Sequence, residues 1–325
     1  MTRHTLCDAQ GGCKHTDAEH QRQSSLTLFT PAGVLLRAAP LKRAAKRLTK
    51  LGYEVQIDAD ALARQQRFAG DDATRLAALH RVARQAPGIA MATRGGYGMT
   101  RLLDAIDWPL IAKSVAAGTR WVGFSDLTAL HLGLLAHTQA GTGMITWAGP
   151  LAVEDFGRAQ ADGGVDDVTQ DCFLEAMDGT LEAVGFRTEP GFDGLDVKGR
   201  LWGGNLCVVN SLLATPHMPR IKGGVLFLED VGEHPYRIER QLLQLLQAGV
   251  LDAQKAIVLG AFTDYSKSPN DRGYTLKDAV NALRARTSTP ILTGLPFGHV
   301  RTKVSLPVGA KVELVVQGRD SFIAW

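Results

Sequence analysis

The chain reads as an α/β protein in two parts: a first half built on a parallel sheet, and a smaller second half that mixes helices with a β-rich end. Three observations predict this. Short apolar runs alternate with segments of helical period through the first 125 or so residues, the signature of parallel strands covered by helices. Residues 151–198 break the alternation with acidic, glycine-bearing sequence of little periodicity. Beyond them the alternation resumes and closes in several short strands. At 325 residues the chain is also long for one core, so two domains are expected.

The elements follow in order. Leu26-Thr27-Leu28-Phe29-Thr30 is the first strand, stopped by Pro31-Ala32-Gly33. A helix over about 41–51 ends at Gly52, and 53–57 return as a strand. Asp71 and Asp72 cap a helix with Leu76, Leu79 and Val82 on one face; it ends near Pro87, and 89–92 form a buried strand. The glycine-rich loop Arg94-Gly95-Gly96-Tyr97-Gly98 leads into a helix carrying Leu102, Leu103 and Ile106. Residues 119–122 form the next strand, and Leu127, Leu130 and Leu134 recur at helical spacing after it. This order predicts a parallel sheet of the Rossmann or flavodoxin-like kind over 25–150. Residues 151–198 read as a connection with one helix, 167–177. In 199–325 come Leu201-Trp202-Gly203-Gly204-Asn205, a helix to about Leu213, a strand at 225–228, a helix at 238–246, a strand at 256–262 and a helix from about Leu276. Short strands near Ile291, Val304, 312–316 and 322–325 end the chain.

Composition narrows the function classes. The chain is 45% hydrophobic and 21% charged, an ordinary globular composition. Its formal charge of +3, from 36 basic and 33 acidic residues, argues against nucleic acid as the main partner. No apolar run reaches the roughly 20 residues of a membrane-spanning helix. Residues 1–24 are polar, without the apolar core of a secretory signal, so they read as a disordered extension and the protein as cytoplasmic. Cys7, Cys13, Cys172 and Cys207 are scattered, and reduced thiols are expected. Cys7, Cys13, His15 and His20 match no standard zinc spacing.

Two loops carry the chemistry. Gly123-Phe124-Ser125-Asp126-Leu127-Thr128 places a serine on a sharp strand-to-helix turn, where its hydroxyl rises above the sheet edge and the first helical N–H groups face what it attacks. Leu127 stands where the second glycine of a G-x-S-x-G elbow would be, so a serine that merely caps a helix is the competing reading. The Arg94–Gly98 loop either cradles a phosphate, supplies a donor to an oxyanion hole, or is a structural turn. A serine nucleophile needs a base, usually a histidine oriented by a carboxylate. His131 and His137 lie along the helix leaving Ser125 and read as ordinary helix residues. His217, His234 and His299 remain as bases; His299 ends the run 291–298. Glu229 closes the apolar strand 225–228, as a carboxylate partner or as a solvated strand end.

Taken together, Arg94-Gly95-Gly96-Tyr97-Gly98, Gly123-Phe124-Ser125-Asp126-Leu127-Thr128, Leu201-Trp202-Gly203-Gly204-Asn205-Leu206, Leu228-Glu229-Asp230 with His234-Pro235-Tyr236-Arg237-Ile238-Glu239-Arg240, and Phe297-Gly298-His299 resemble the LD-carboxypeptidase family of serine peptidases. The resemblance covers nearly everything from Leu26 onward. It is strongest to the family's muramoyltetrapeptide carboxypeptidases of peptidoglycan recycling. It implies a triad of Ser125 as nucleophile, His299 as base and then acid, and Glu229 as the residue orienting His299. It also implies an oxyanion hole from the backbone N–H groups of Asp126 and Gly96, no metal or other cofactor, and a homodimer. The implied reaction removes a terminal D-alanine from a muropeptide tetrapeptide. Arg94 and Arg237 are candidates for the substrate carboxylate, with surface salt bridges as the alternative. Tyr97 and Trp202 are candidates for walls of the site, with core packing as theirs. Two other functions stay open: a self-immunity peptidase of the same family that cleaves acylated aspartyl-adenylates, and a non-enzymatic nucleotide-binding module.

Overall fold

A computed structural model describes residues 24–138 and 143–325. The first sheet is six-stranded. Its strands are β1 (Ser25–Phe29), β2 (Glu54–Ile57), β3 (Ile89–Ala92), β4 (Arg120–Val122), β5 (Thr146–Ala148) and β11 (Leu306–Val308), in the order β11-β5-β4-β3-β1-β2. All pairs are parallel except β11 on β5. The helices of this half are α1 (Ala38–Lys50), α2 (Asp72–Gln85), α3 (Trp108–Ala116) and α4 (Thr128–His137). The Asp71 carboxylate accepts the N–H of Thr74 and Asp107 that of Leu110, so α2 and α3 each begin at an aspartate cap.

The second sheet has seven strands in the order β10-β9-β8-β7-β12-β13-β6. They are β6 (Ala183–Arg187), β7 (Asp196–Asn205), β8 (Val225–Val231), β9 (Ala256–Thr263), β10 (Ile291–Thr293), β12 (Lys311–Gln317) and β13 (Asp320–Ala324). Strands β7 to β10 are mutually parallel, and β7-β12-β13-β6 are antiparallel. Helices α5 (Asp167–Asp178), α6 (Leu206–Ser211), α7 (Pro235–Gln247) and α8 (Leu276–Arg284) complete the chain. The α/β class, with one mainly parallel sheet and a second mixed one, is the class read from the sequence. No helix among the described residues is long and apolar enough to cross a membrane.

Several elements differ from the expectation. The helix expected after the glycine loop is two 3₁₀ turns, Met99–Arg101 and Leu103–Ala105; regular helix waits for the Asp107 cap and Pro109 at the start of α3. The segment read as a connection also carries β6, the far edge of the second sheet. The strand placed near Val304 is β11, and it crosses to the first sheet. Its Pro307 has no N–H to donate, which suits an edge position. Cys172 and Cys207 are free thiols. The expected extension of residues 1–24 falls almost wholly outside the described residues, as do Cys7, Cys13, His15 and His20.

The segments that close the site are held by a buried ion pair. Lys303, on the approach to β11, gives its ammonium to Asp155 in the π-helical turn Ala152–Phe156, and both side chains are under 5% exposed. The second Asp155 oxygen accepts the N–H of Leu151 at 2.7 Å. Removing one partner would leave an uncompensated charge in the interior. Lys303→Met is therefore expected to lower the unfolding free energy by about 3–5 kcal/mol, measured by urea denaturation. A loss below about 1 kcal/mol would mean that water reaches Asp155.

Candidate active site

Ser125 sits between β4 and α4 with φ of +61°, a left-handed conformation that a side chain adopts at a cost of about 1–2 kcal/mol. The turn is held from several sides. Gly123 has φ of +154°, and a Cβ there would stand 2.6 Å from Leu127. The wholly buried His131, one turn into α4, lies with Nε2 2.9 Å from the Gly123 carbonyl. Burial pulls its pKa down to about 4 against that hydrogen bond, so the ring is neutral and Nε2–H donates. The glycine loop passes against the serine: a Cβ on Gly95 would lie 2.7 Å from Ser125 Oγ and 3.6 Å from the Asp126 nitrogen. Only glycine permits that approach.

The loop is pinned to the turn by charge. Asp126, 4% exposed, accepts the Met99 N–H at 2.7 Å, and Arg75 gives Nη1 to the Gly98 carbonyl at 2.8 Å. Burial pushes the Asp126 carboxyl up to about 6, against the N–H groups of Met99 and Gly98 and the charges of Arg75 and Arg67. Gly95 accepts the Gly33 N–H at 3.1 Å. In a trans peptide this turns the Gly96 N–H away from Gly33, and it makes no hydrogen bond among the described residues.

From the second sheet come the other two groups. His299 Nε2 lies 3.2 Å from Ser125 Oγ, and its Nδ1 lies 2.8 Å from Glu229 Oε2. Glu229 is fully buried near the carboxyl end of β8, where the β8–β9 register shifts between Leu228 and Asp230. Gly298 makes room for it, since a Cβ there would come within 3.0 Å of the Glu229 carboxylate. Asn205 at the end of β7 donates Nδ2 to Glu229 at 3.2 Å and to Asp230 at 2.9 Å. Its own N–H reaches Thr128 Oγ1 at 3.0 Å, tying the second sheet to the helix behind Ser125. Burial pushes Asp230 up to about 6, opposed by hydrogen bonds from Val231, Asn205 and Cys207. Phe124 packs edge-to-face with His299, ring centroids 4.8 Å apart.

Burial alone would lower the His299 pKa. The hydrogen bond and charge of Glu229, with the charges of Glu154 and Asp230, outweigh it and raise the value above the ordinary 6.5. A base must be neutral, so kcat/KM is expected to rise with pH to a midpoint above 6.5. A midpoint at or below the ordinary value would mean that His299 does not govern the profile. Stability carries the opposite sign. A raised folded-state value contributes stability that is fully present below the unfolded pKa and is lost as pH rises through the folded one.

The other candidates divide. Arg94 opens the glycine loop, giving Nη1 to the Val34 carbonyl at 2.9 Å while its buried Nε has no partner. Tyr97 is 45% exposed, against Phe68 and under Arg67. Trp202 is a correction: it is 1% exposed, with its indole N–H on Gln254 at 3.0 Å, and packs inside the second half because β7 turns it into the core. Arg237 is half exposed, 3.9 Å from Glu233 and over Tyr236, the surface arrangement weighed for it. His217 and His234 are not at the serine. His217 bridges His137 and Asp104 at 2.9 Å each, and His234 meets Asp271 at 3.0 Å. His131 was read as an ordinary helix residue, Asn205 was quoted in a motif without a role, and Glu154 near His299 was not singled out. For His131 the available signal was a histidine in the middle of the apolar run Ala129–Ala136.

A serine on a strand-to-helix turn, within hydrogen-bond reach of a histidine that meets a buried glutamate, is the arrangement that serine hydrolases use. Residues 26–148 match the family described as LD-carboxypeptidase N-terminal domain, and residues 198–314 match the LD-carboxypeptidase C-terminal domain. The chain belongs to the LD-carboxypeptidase family and is a serine-type carboxypeptidase. It is 30% identical to the murein tetrapeptide carboxypeptidase of Pseudomonas aeruginosa over 87% of this chain and 91% of that protein. The crystal structure of a muramoyltetrapeptide carboxypeptidase from Oxalobacter formigenes superposes with a TM-score of 0.82 at 38% identity, covering 93% of this chain and 99% of that one. The microcin C7 self-immunity protein MccF of Escherichia coli is 26% identical over 69% of this chain and 70% of its own length.

Proposed function

We propose that this protein removes the terminal D-alanine from muropeptide tetrapeptides through an acyl-enzyme on Ser125. The observation that carries the reading is the unbroken chain Ser125–His299–Glu229, at 3.2 and 2.8 Å, in a member of a carboxypeptidase family. Glu229 fixes the His299 tautomer so that Nε2 is free to take the serine proton. Ser125 Oγ then attacks the carbonyl of the L-configured diamino acid. The oxyanion that forms is met by the N–H groups of Asp126 and Gly96. His299 returns its proton to the departing D-alanine amine, and water activated by the same ring releases the tripeptide. No step calls for a metal. As a recycling enzyme the protein would act in the cytoplasm, as a homodimer.

Arg94 suits the terminal carboxylate, because it opens the loop beside Ser125 and its Nη2, which is not enclosed, has no acceptor among the described residues. Arg94→Ala is expected to raise KM for the tetrapeptide about tenfold or more, and to leave an analogue with an amidated terminus almost unchanged. Equal effects on both would remove Arg94 from that role.

The relation to MccF favours a second reading, cleavage of acylated aspartyl-adenylates by the same triad. Mass-spectrometric assay of D-alanine release from a disaccharide tetrapeptide, run beside an aspartyl-adenylate substrate, separates the two. Chelator-insensitive release of D-alanine, with the adenylate left intact, supports the muropeptide reading; the reverse supports the immunity reading. Phosphate-dependent nucleotide binding that survives Ser125→Ala, without turnover of either substrate, would point to a binding module instead.

A further inference from the structure

The turn Ala152–Phe156 lies beside the triad, held by the Val153 N–H on the Thr93 carbonyl at 2.8 Å, one residue before Arg94. Within it Asp155 faces inward to Lys303, while Glu154 is half-buried on the side of His299 and Arg94. The charged groups around Glu154 are His299, Arg94, Lys303 and Asp155. Each cation is committed elsewhere: Lys303 to Asp155, His299 to Glu229, and Arg94 to the Val34 carbonyl. No group among the described residues donates a hydrogen bond to Glu154. Its oxygens are not enclosed, so a carboxylate on the His299 side of the site stands open to a ligand.

Arg94 presents the complement: Nη1 is taken by the Val34 carbonyl, while Nη2, which is not enclosed, has no acceptor among the described residues. One flank of the triad therefore offers an unpaired carboxylate and, at Arg94 Nη2, a guanidinium donor without a partner among the described residues, and the two are not paired with each other. That combination fits a ligand carrying one cationic and one anionic group, and it disfavours a purely anionic or purely apolar one.

We propose that Glu154 is the specificity-determining residue that receives the free ammonium of the substrate's diamino acid, while Arg94 holds the terminal carboxylate. The inference rests on the muropeptide reading and deepens it. The third residue of the tetrapeptide uses one amine in the peptide chain and leaves the other protonated. Glu154 can accept from that ammonium, and the burial that now raises its pKa makes a partner more valuable. A peptide whose free amine is acetylated keeps the scissile bond and terminal carboxylate but loses the cation.

The test compares D-alanine release from a disaccharide tetrapeptide with that from its side-chain N-acetylated analogue, using the wild type, Glu154→Gln and Glu154→Asp. The wild type should prefer the free amine by about tenfold or more in kcat/KM, chiefly through KM. Glu154→Gln should erase the preference by weakening turnover of the amine peptide alone, and Glu154→Asp should keep most of it. Equal wild-type turnover of the two peptides overturns the inference and leaves the muropeptide reading standing. So does a Glu154→Gln variant that slows both peptides equally. If the wild type releases no D-alanine from either peptide, the muropeptide reading itself fails, and this inference with it.

Discussion

Ser125→Ala is expected to lower kcat for D-alanine release by roughly 10⁴–10⁶-fold with little change in KM, because only the nucleophile is lost while the groups that surround the substrate stay. The residual rate would come from the oxyanion donors and from binding alone. The variant keeps a Cβ at φ of +61°, so the strain of the turn stays and the fold should be unaffected. Ser125→Gly gives an independent reading of that strain. Glycine relieves the left-handed backbone but gains freedom in the unfolded chain, so the two contributions of about 1 kcal/mol nearly cancel. Its melting temperature should match or exceed that of Ser125→Ala, with activity equally absent. Activity retained by either variant would remove Ser125 from the chemistry.

Glu229→Gln should lower kcat by about 10⁴-fold, a near-isosteric change acting through the histidine tautomer. The amide has two orientations, and both conflict with the site. With its oxygen toward His299 Nδ1, its NH₂ meets the Asn205 Nδ2 donor that now bonds Glu229 at 3.2 Å. Turned over, it donates to Nδ1 and moves the imidazole proton to Nε2, where it faces Ser125 Oγ and can no longer take the serine proton. A fall below about tenfold would mean that His299 is oriented by something other than Glu229. Because Glu229 is wholly buried, thermal melts of the variant should accompany the kinetics, so that an altered fold is not read as altered chemistry.

What was legible in the sequence was local. Alternating apolar runs and aspartate caps mark β1 to β4 and α2, and Gly123 and Ser125 announce a turn by spacing alone. Relations across the chain were not legible from periodicity: His299 lies 174 residues from Ser125 and 70 from Glu229, and only the ordered set of motifs in the family resemblance linked them. The same limit hid β11, whose partner β5 stands in the other half of the chain. Glu154 looked like one more acidic residue in an aperiodic segment; its meaning lies in the absence of a donor, which needs coordinates to see. Trp202 failed in the opposite way. It was weighed as a wall of the site or as core, and only the structure decides for core: from Leu201 to Asn205 β7 is buried on both faces, and Gln254 satisfies the indole there.

The most direct test is to mix the enzyme with a disaccharide tetrapeptide, quench in acid within the first turnover, and map the protein by mass spectrometry. A transient adduct on Ser125 with the mass of the muropeptide acyl group is expected, formed as D-alanine is released and absent in Ser125→Ala. D-alanine released at full rate without any adduct, or with an adduct on another residue, would contradict it.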